Sequence, residues 1–335
     1  MIGYIGYRQA RESQSAQLGE AIPRLDEQVR ALSRDGSLAG EGPVLLGIGA
    51  SYAAAAAPVW HLRARGIDAW RLAADDSPLP LPRCGRPLIG ISQSGRSAET
   101  IAALDSVSPS LRWAVVNNAP SPLAGLVDRL INLGNIPDSY ASTIGYTATI
   151  AALSLLAEAW DGGSTDPTWA TFAERLSSFE DGLPALVEDA VPLFGDASYA
   201  DMVGVGASVG SAEAAALLFR EVARIPATGM STRQYLHGAM ESAGDGVHVL
   251  FGGAREADIA RMLAARGHRS VLVTPQDIAR ETGLVVIRIP AADVSQRAIV
   301  EIVVMQELVE AVTHARGIDV EEFVFHNEDT KVSAP

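Results

Sequence analysis

The same strand, turn and helix pattern occurs twice in this chain, and no other feature restricts its fold as much. The first copy begins at Val44 and reads VLLGIGASYAAAAAPVWHLRARGI; the second begins at Met202 and reads MVGVGASVGSAEAAALLFREVARI. In each copy a short apolar run predicts a buried parallel strand, Gly-x-Gly-Ala-Ser predicts a turn, and the Ala/Leu-rich stretch predicts a helix. Solenoid repeats are only about 20 to 50 residues long, whereas Ser208 follows Ser51 by 157 positions. We therefore predict two whole domains of one design.

Further apolar runs alternate with helical stretches in both copies, which predicts the α/β class with doubly wound, mostly parallel sheets flanked by helices. A Gly/Pro/Asp-rich break, DGGSTDPT, marks the predicted domain boundary. The predicted strands cover residues 87–92, 111–118, 129–134, 202–205, 247–251, 270–274 and 284–289, and long helices are predicted over about 147–160 and 294–314. We divide the chain into an N-terminal helical segment (1–35), a first domain (36–162), a helical connector (163–197), a second domain (198–317) and a tail (318–335).

The charge and cysteine content exclude several classes of function. A net charge of −14, with no Lys/Arg cluster, argues against nucleic acid, because binding it needs a basic face. An anionic small substrate stays compatible, since a local site can outweigh the global charge. The single cysteine, Cys84, cannot form an internal disulfide, which fits a reducing cytoplasm. The sequence shows neither a signal peptide nor a run of about 18 apolar residues, so no membrane association is expected.

A hydroxyl-rich segment, ISQSGRSAET, follows a predicted strand and precedes a predicted helix. Such junctions bind phosphate, because free backbone N–H groups and the helix dipole favour an anion. Its polar residues, with Ser51 at the neighbouring junction, are candidate ligands: Ser92, Gln93, Ser94 and Ser97. The alternative is a serine cluster that only caps the helix. The second copy reads FGGARE at the equivalent place and has no hydroxyl, so we expect only the first copy to keep the site.

Two other interpretations of the glycine-rich turns are weaker. Neither turn has the third glycine of a dinucleotide fingerprint or an acidic residue about 20 positions later, so no cofactor is expected. The stretch GASVG around Ser208 matches the nucleophile elbow of α/β-hydrolases, and a triad would need an aspartate with His314 or His326. The candidate aspartates of such a triad are Asp258 and Asp277. Because the first copy has the same turn, a structural need for small residues explains the turns of both copies.

Three further residues suggest carbonyl and proton chemistry. Glu221 lies near the end of the second repeat helix, and His237 follows it by 16 positions. Sugar isomerisation uses such a pair, since His opens the ring and Glu moves a proton between C1 and C2; the alternative is a surface Glu and a loop His. Lys331 is the only lysine beside 25 arginines. A lysine amine can attack a carbonyl and an arginine cannot, although Lys331 is also compatible with a chance surface position.

Five stretches, in order, resemble motifs of the SIS (sugar isomerase) family, in particular the isomerase part of glutamine:fructose-6-phosphate amidotransferases and related aminosugar-phosphate deaminases and deglycases. They are GIGASY, similar to a G-T-S stretch; SQSGRSAET, similar to S-Q-S-G-E-T-x-D-T; YASTIGYTATIAAL, similar to A-S-T-K-x-[FY]-T; FREVARIPATGMSTRQYLHG, similar to a K-E to E-x-x-H-G-P segment; and GIDVEEFVFHNEDTKVSAP, similar to the L-x-K-S-V-T tail. The resemblance covers almost the whole chain and implies two tandem SIS domains.

The resemblance also implies roles for individual residues. Glu221 falls on the proton-shuttle position, His237 on the ring-opening position, and Lys331 on the residue that forms a Schiff base with a keto sugar. It implies a homodimer in which the His of one subunit serves its neighbour's site, and no metal. The residues implied to contact the sugar phosphate are Ser51, Ser92, Gln93, Ser94, Ser97 and Ser142.

The chain departs from the family pattern around the reactive end of the sugar. Arg96 stands in place of the loop Glu, Gln234 in place of the second Glu before the His, and Ala239 in place of the Pro after His-Gly. The tail also lacks the P-x-x-L lead into the lysine. The start, MIGYIGYRQARES, lacks the cysteine of a glutaminase, so we expect that glutamine is not the ammonia source. The expected activity is deamination and isomerisation of glucosamine 6-phosphate. The alternatives are a fructosamine 6-phosphate deglycase and a non-catalytic phosphosugar sensor.

Overall fold

The computed structural model describes residues 3–82, 85–279, 281–325 and 329–333; Cys84 and His326 lie outside these ranges. The chain forms two compact units. Unit 1 contains residues 1–174 and 325–335, and unit 2 contains residues 175–324. The five predicted segments remain a proposal. Within the described ranges, no helix is long and apolar enough to cross a bilayer.

Unit 1 is built on a parallel five-stranded sheet with the order β2-β1-β3-β4-β5. Central strand β3 is buried along its whole length, as expected where helices cover both faces of a parallel sheet. The strands are β1 (Val44–Gly47), β2 (Trp70–Ala73), β3 (Leu88–Ser92), β4 (Arg112–Val116) and β5 (Arg129–Asn132). The helices are α1 (Tyr7–Glu12), α2 (Gln14–Arg34), α3 (Ala50–Ala54), α4 (Ala56–Ala64), α5 (Ala98–Asp105) and α6 (Ile144–Ala159).

One face of this sheet packs against α6, in which every residue is buried. Helices α2, α3 and α4 contact α6 and complete that layer. A hydrophobic core forms between the strands and α5, where the side chains of Leu46, Leu88, Leu104 and Leu123 pack together. The helix layers leave the carboxyl edge of the strands to loops, which is where open α/β sheets bind ligands.

Unit 2 repeats the design, because its sheet order β10-β9-β8-β6-β7 is the order of unit 1 read from the other end. Helix α7 (Phe172–Glu180) spans the division between the units. The strands are β6 (Ala200–Gly204), β7 (Ala227–Ser231), β8 (Val247–Phe251), β9 (Arg269–Thr274) and β10 (Leu284–Arg288). The remaining helices are α8 (Leu183–Val187), α9 (Val209–Glu221), α10 (Thr232–Leu236), α11 (Ala254–Ala264) and α12 (Val294–Ala315).

The predicted fold is therefore confirmed: both copies are parallel sheets flanked by helices. The sequence missed two strands, β2 and β7, which are the edge strands next to β1 and β6. Only the first residue of β7 is buried and no residue of β2 is, so neither strand shows the apolar run that identifies a covered central strand.

Candidate functional site

The hydroxyl-rich loop connects β3 to α5 at the carboxyl edge of the unit 1 sheet. Gly95 makes its sharp turn with a φ of 65°, and an added Cβ there would collide with the Ser121 hydroxyl. The loop therefore needs glycine for its backbone angle and for space. Beneath it, the backbone oxygen of Gln93 accepts hydrogen bonds from the N–H groups of Asn117 and Asn118, both at 3.1 Å.

The loop places its serines around the N-terminus of α5. Ser92 is 2% exposed, and its hydroxyl lies 3.3 Å from that of Ser97 and 3.4 Å from the Ser97 nitrogen. Ser94 and Ser97 are half-buried, and Ser97 is the N-cap residue of α5. The inner hydroxyl of Ser92 thus supports Ser97, while Ser94 and Ser97 remain accessible to a ligand.

A buried aspartate that the sequence analysis missed organises the next part of the site. Asp138 is 4% exposed and accepts hydrogen bonds from the backbone nitrogens of residues 143–145 at the start of α6. The Ser142 hydroxyl also donates to Asp138, at 2.7 Å. A Cβ added to Gly145 would lie 2.8 Å from Gln93 Cγ and 3.1 Å from Ser142 Oγ, so these two predicted ligands lie close together. Ser142 is held by Asp138 in this arrangement.

Ser51 is the second residue of α3, which follows β1, the strand beside β3. Gly49 takes a φ of 56°, and a Cβ added to Gly47 would lie 2.9 Å from Ser51 Cβ. The two glycines therefore allow α3 to begin close to the end of the strand. Ser51 is half-buried. It lies at the same edge of the sheet as the serine loop.

The C-terminal tail lies along this loop in the antiparallel direction. Lys331 forms a β-bridge with Ser97. The flanking hydrogen bonds run from the Ala98 nitrogen to the Thr330 oxygen at 3.1 Å and from the Val332 nitrogen to the Arg96 oxygen at 3.0 Å. Side chains of residues directly opposite in such a pair share one face, with Cβ atoms about 5 Å apart. The only lysine of the chain is therefore a cross-strand neighbour of the N-cap serine, and it is exposed.

In unit 2 the turn after β6 is filled by a carboxylate from α12. Ser208 is 1% exposed and donates to Glu301 at 2.8 Å, and Ser211 donates to the other carboxylate oxygen at 2.6 Å. Burial raises the pKa of Glu301, against the lowering effect of these hydroxyls and of Arg297. A buried serine that is bonded to a carboxylate does not match a hydrolase nucleophile.

The second turn of unit 2 is filled in the same way. Glu256, 2% exposed, accepts a hydrogen bond from the Gly253 nitrogen at 3.0 Å and another from the Thr232 hydroxyl at 2.9 Å. It therefore occupies the N-terminus of α11, the position that α5 leaves to serines in unit 1. The expectation that only the first copy keeps an open hydroxyl site agrees with this arrangement.

Glu221 and His237 lie on two different elements of unit 2. Glu221 is the last residue of α9, and His237 follows α10. Helix α10 turns back along the sheet after β7, because the Tyr235 hydroxyl lies 2.9 Å from Nδ1 of His248 in β8. Both Glu221 and His237 are exposed, yet desolvation by surrounding protein raises the pKa of Glu221 to about 7, which indicates a partly enclosed position that water still enters.

Across the described residues, no group of three or more His, Cys, Asp or Glu side chains could hold a metal ion. The polar groups of the unit 1 site are neutral hydroxyls, amides and backbone N–H groups with Lys331 and Arg96, while the carboxylate of Asp138 is taken up by Ser142 and by the first backbone nitrogens of α6. This set suits an anion such as a phosphate.

Comparison with known proteins identifies the fold. No family model matches the chain, and no curated protein matches its sequence. Among solved structures, the C-terminal domain of glucosamine-fructose-6-phosphate aminotransferase from Francisella tularensis superposes with a TM-score of 0.79 at 18% identity, covering 95% of this chain and 98% of that one. The chain has the tandem SIS fold.

Two further SIS-fold structures match over nearly their full length. Tagatose-6-phosphate ketose/aldose isomerase from Escherichia coli has a TM-score of 0.74 at 17% identity, with 96% of each chain covered. Glucosamine-6-phosphate deaminase from Thermotoga maritima has a TM-score of 0.73 at 15% identity, covering 95% of this chain and 99% of that one. Both structures therefore share the two-unit fold of this chain.

Proposed function

We propose that this protein is an aldose/ketose isomerase-type enzyme that acts on an amino-hexose 6-phosphate. The first reaction to consider is the hydrolytic conversion of glucosamine 6-phosphate to fructose 6-phosphate and ammonia. One observation carries the proposal: Lys331, the only lysine, pairs with Ser97 of the loop suited to a phosphate. The lysine and the loop suited to an anion thus share one edge of the unit 1 sheet.

The phosphate of the sugar would bind at the N-terminus of α5. Ser94 and Ser97 offer hydroxyl donors there, Gln93 offers an amide, and Ser51 lies in the first turn of α3 at the same edge of the sheet. Ser142 is assigned to the same site, since it lies with Gln93 beside Gly145. Neutral donors and a helix N-terminus bind a phosphate without needing a basic surface, which fits a chain of net charge −14.

At the other end of the sugar, moving a proton from C2 to C1 and one from the amine to O1 would turn the open-chain amino aldose into an imine at C2. The amine of Lys331 would add to C2 and release ammonia, which gives the Schiff base of the keto sugar, and water would then hydrolyse that Schiff base to fructose 6-phosphate and free Lys331. Glu221 would carry a proton between C1 and C2, because a carboxyl with a pKa of about 7 can both accept and return a proton near neutral pH. His237 would open the sugar ring.

The resemblance to the sugar isomerase family implies an active site shared between subunits. We therefore propose a homodimer in which His237 of one subunit serves the sugar bound by the other. If this is right, mixing Glu221→Gln and His237→Ala proteins restores part of the activity after subunit exchange, and a monomer by light scattering at micromolar concentration would contradict it.

Names of the SIS-fold neighbours agree with this class of substrate, since an aminotransferase, an isomerase and a deaminase in the set all carry a 6-phosphate sugar in their names. The deglycase alternative uses the same proton shuttle on a fructosamine 6-phosphate. A sensor would bind the same ligands without turning them over.

The deciding experiment measures ammonia and ketose released when purified protein is mixed with glucosamine 6-phosphate, with fructosamine 6-phosphate as the parallel substrate. Borohydride reduction in the presence of fructose 6-phosphate should then label the peptide that contains Lys331. The N-terminal amine is the other amine that could be labelled, and mass spectrometry of the two peptides distinguishes them. We expect product and label together. Binding of sugar phosphate without turnover of either substrate would contradict the enzyme proposal and favour the sensor.

A further inference from the structure

The contact between the serine loop and the C-terminal tail is a short antiparallel ladder with an incomplete last pair. Ser97 and Lys331 face each other without sharing hydrogen bonds. The next pair, Arg96 and Val332, occupies the position at which two residues of an antiparallel ladder exchange both N–H···O bonds. One of the two bonds is present, from the Val332 nitrogen to the Arg96 oxygen at 3.0 Å.

The second bond of that pair is made by a side chain. The Arg96 backbone nitrogen points to the Ser94 hydroxyl, 3.3 Å away, and therefore does not serve the tail. Arg96 Nε donates instead to the Val332 oxygen at 2.7 Å. The guanidinium thus replaces the missing backbone donor and closes the pair, with a shorter bond than either backbone bond of the ladder.

We propose that Arg96 is a positioning residue that fastens the tail to the serine loop and so holds Lys331 opposite Ser97. In the tail segment of this contact, Thr330 and Lys331 are exposed and Val332 is half-buried. Burial therefore adds little to hold the strand in place. A bond from a charged donor is stronger than a neutral one. A carboxylate at position 96 would have no proton to donate to a backbone oxygen.

This inference rests on the proposed function only where it concerns the chemistry of Lys331. The fastening of the tail is a property of unit 1 alone, because residues 96–98 and 330–332 both belong to that unit. It can therefore be measured in the full-length protein without any substrate.

Two substitutions separate the hydrogen bond from the charge. Arg96→Met keeps most of the aliphatic stem and removes both the charge and the donor. Arg96→Gln removes the charge but keeps an N–H group bonded to Cδ, the atom to which Arg Nε is also bonded. Arg63→Met is the matched control, because Arg63 Nε also donates to a backbone oxygen, that of Ala69, at 2.7 Å and away from the tail.

The main measurement is amide hydrogen exchange, followed by mass spectrometry of peptides containing Ala98 and Val332. We expect exchange at both amides to rise at least about tenfold in Arg96→Met, to rise less in Arg96→Gln, and to stay at the wild-type rate in Arg63→Met. Borohydride trapping of Lys331 with fructose 6-phosphate should fall in the same order. Inorganic phosphate affinity should fall equally in the Met and Gln variants, since both lose the charge.

Unchanged exchange in Arg96→Met, or equal exchange in the Met and Gln variants, would overturn the assignment. So would faster exchange combined with undiminished trapping of Lys331, because Arg96 would then hold the tail without positioning the amine. If even the wild-type protein gives no trapped adduct, the proposed role of Lys331 has failed. The exchange comparison still decides in that case whether Arg96 fastens the tail.

Discussion

The two units of this chain share one sheet order and one turn motif, yet of the corresponding helices α5 and α11 only α5, in unit 1, begins with serines that are open to a ligand. In unit 2, the carboxylates of Glu301 and Glu256 occupy the two corresponding turns and take up their hydroxyl and N–H donors. In unit 1, Ser94 and Ser97 remain accessible at the start of α5. A helix N-terminus offers hydrogen-bond donors in either unit. The difference is whether a carboxyl group of the protein already takes up those donors.

This comparison separates fold from function within one molecule. Gly-x-Gly-Ala-Ser keeps its structural task in both copies, because in each the first glycine of the turn lets the following helix approach the strand end. Binding capacity then depends on a few residues outside the repeat. Glu301 comes from α12, nearly a hundred residues after Ser208 in the chain, and Lys331 comes from the tail.

The largest expected effect tests whether Lys331 in the tail acts through its amine or only through its positive charge. Lys331→Arg keeps the charge but cannot form an imine, so turnover of the preferred amino-hexose 6-phosphate should fall at least about 100-fold. Steady-state kinetics with ammonia detection measures this. Phosphate affinity should stay near the wild-type value, and a variant with the wild-type rate would return Lys331 to the class of chance surface residues.

A second test compares paired serines in the two units. Ser92→Ala with Ser94→Ala should weaken hexose 6-phosphate binding by at least about 2 kcal/mol, because hydrogen bonds to the phosphate and the support of Ser97 are lost. Ser208→Ala with Ser211→Ala is the matched control in unit 2 and should leave this affinity unchanged. Calorimetry with both the sugar phosphate and inorganic phosphate measures it; equal losses in the two double variants would erase the contrast between the units.

A third test concerns the pH dependence expected from Glu221. With a pKa of about 7, its carboxyl is mostly protonated at pH 6 and mostly ionised at pH 8. If the ionised form is the base, kcat/KM should rise about tenfold between these pH values with an inflection near pH 7. Glu221→Gln should abolish both the activity and this inflection. A flat profile in an active wild-type enzyme would assign the proton transfer to another group.

The smallest expected effect concerns the carboxylate that fills unit 2. Because burial raises the pKa of Glu301, the folded state holds its proton more tightly than the unfolded chain does, where the ordinary value is 4.5. The stabilising contribution of Glu301 is therefore complete below about pH 4.5 and is lost as the pH rises through its folded pKa. The thermal midpoint of Glu301→Gln should decline less between pH 5 and pH 7 than that of the wild type. The free energies of unfolding of the two proteins at pH 7 should differ by about 1 kcal/mol or less. Parallel curves for the two proteins would show that Glu301 adds no pH dependence to unit 2.

Much of the fold could be predicted from the sequence because the buried central strands carry unbroken apolar runs and the helices follow at regular intervals. The edge strands β2 and β7 were not predicted, because most of their residues are not buried and show no apolar pattern. The predicted helix over 294–314 agrees with α12, Val294–Ala315. Its start is fixed by Asp293, which accepts from two backbone nitrogens of the first turn.

The site could be predicted only where its residues are close in sequence. The loop from Ser92 to Ser97 is one continuous stretch, so its composition revealed it. Asp138 and Asn117 were missed because single acidic or amide residues in loops carry no signal until the fold brings them against α6 and the serine loop. The partner of Lys331 was equally hidden, since the Ser97 pairing joins segments more than 230 residues apart.

That long separation has a consequence for how the protein is made. Residues 3–174 of unit 1 leave the ribosome early, and a domain of this size generally folds as soon as it has emerged. The strand that pairs with its serine loop is translated only after the whole of unit 2. A nascent chain therefore holds a nearly finished first domain whose serine loop stays unpaired at residues 96–98 while about 150 further residues are translated. At about 5 to 20 residues per second this takes roughly 8 to 30 seconds. Assembly of the Lys331 site is thus among the last events of biosynthesis, and a ribosome that stops early releases a chain with the anion loop but without the amine.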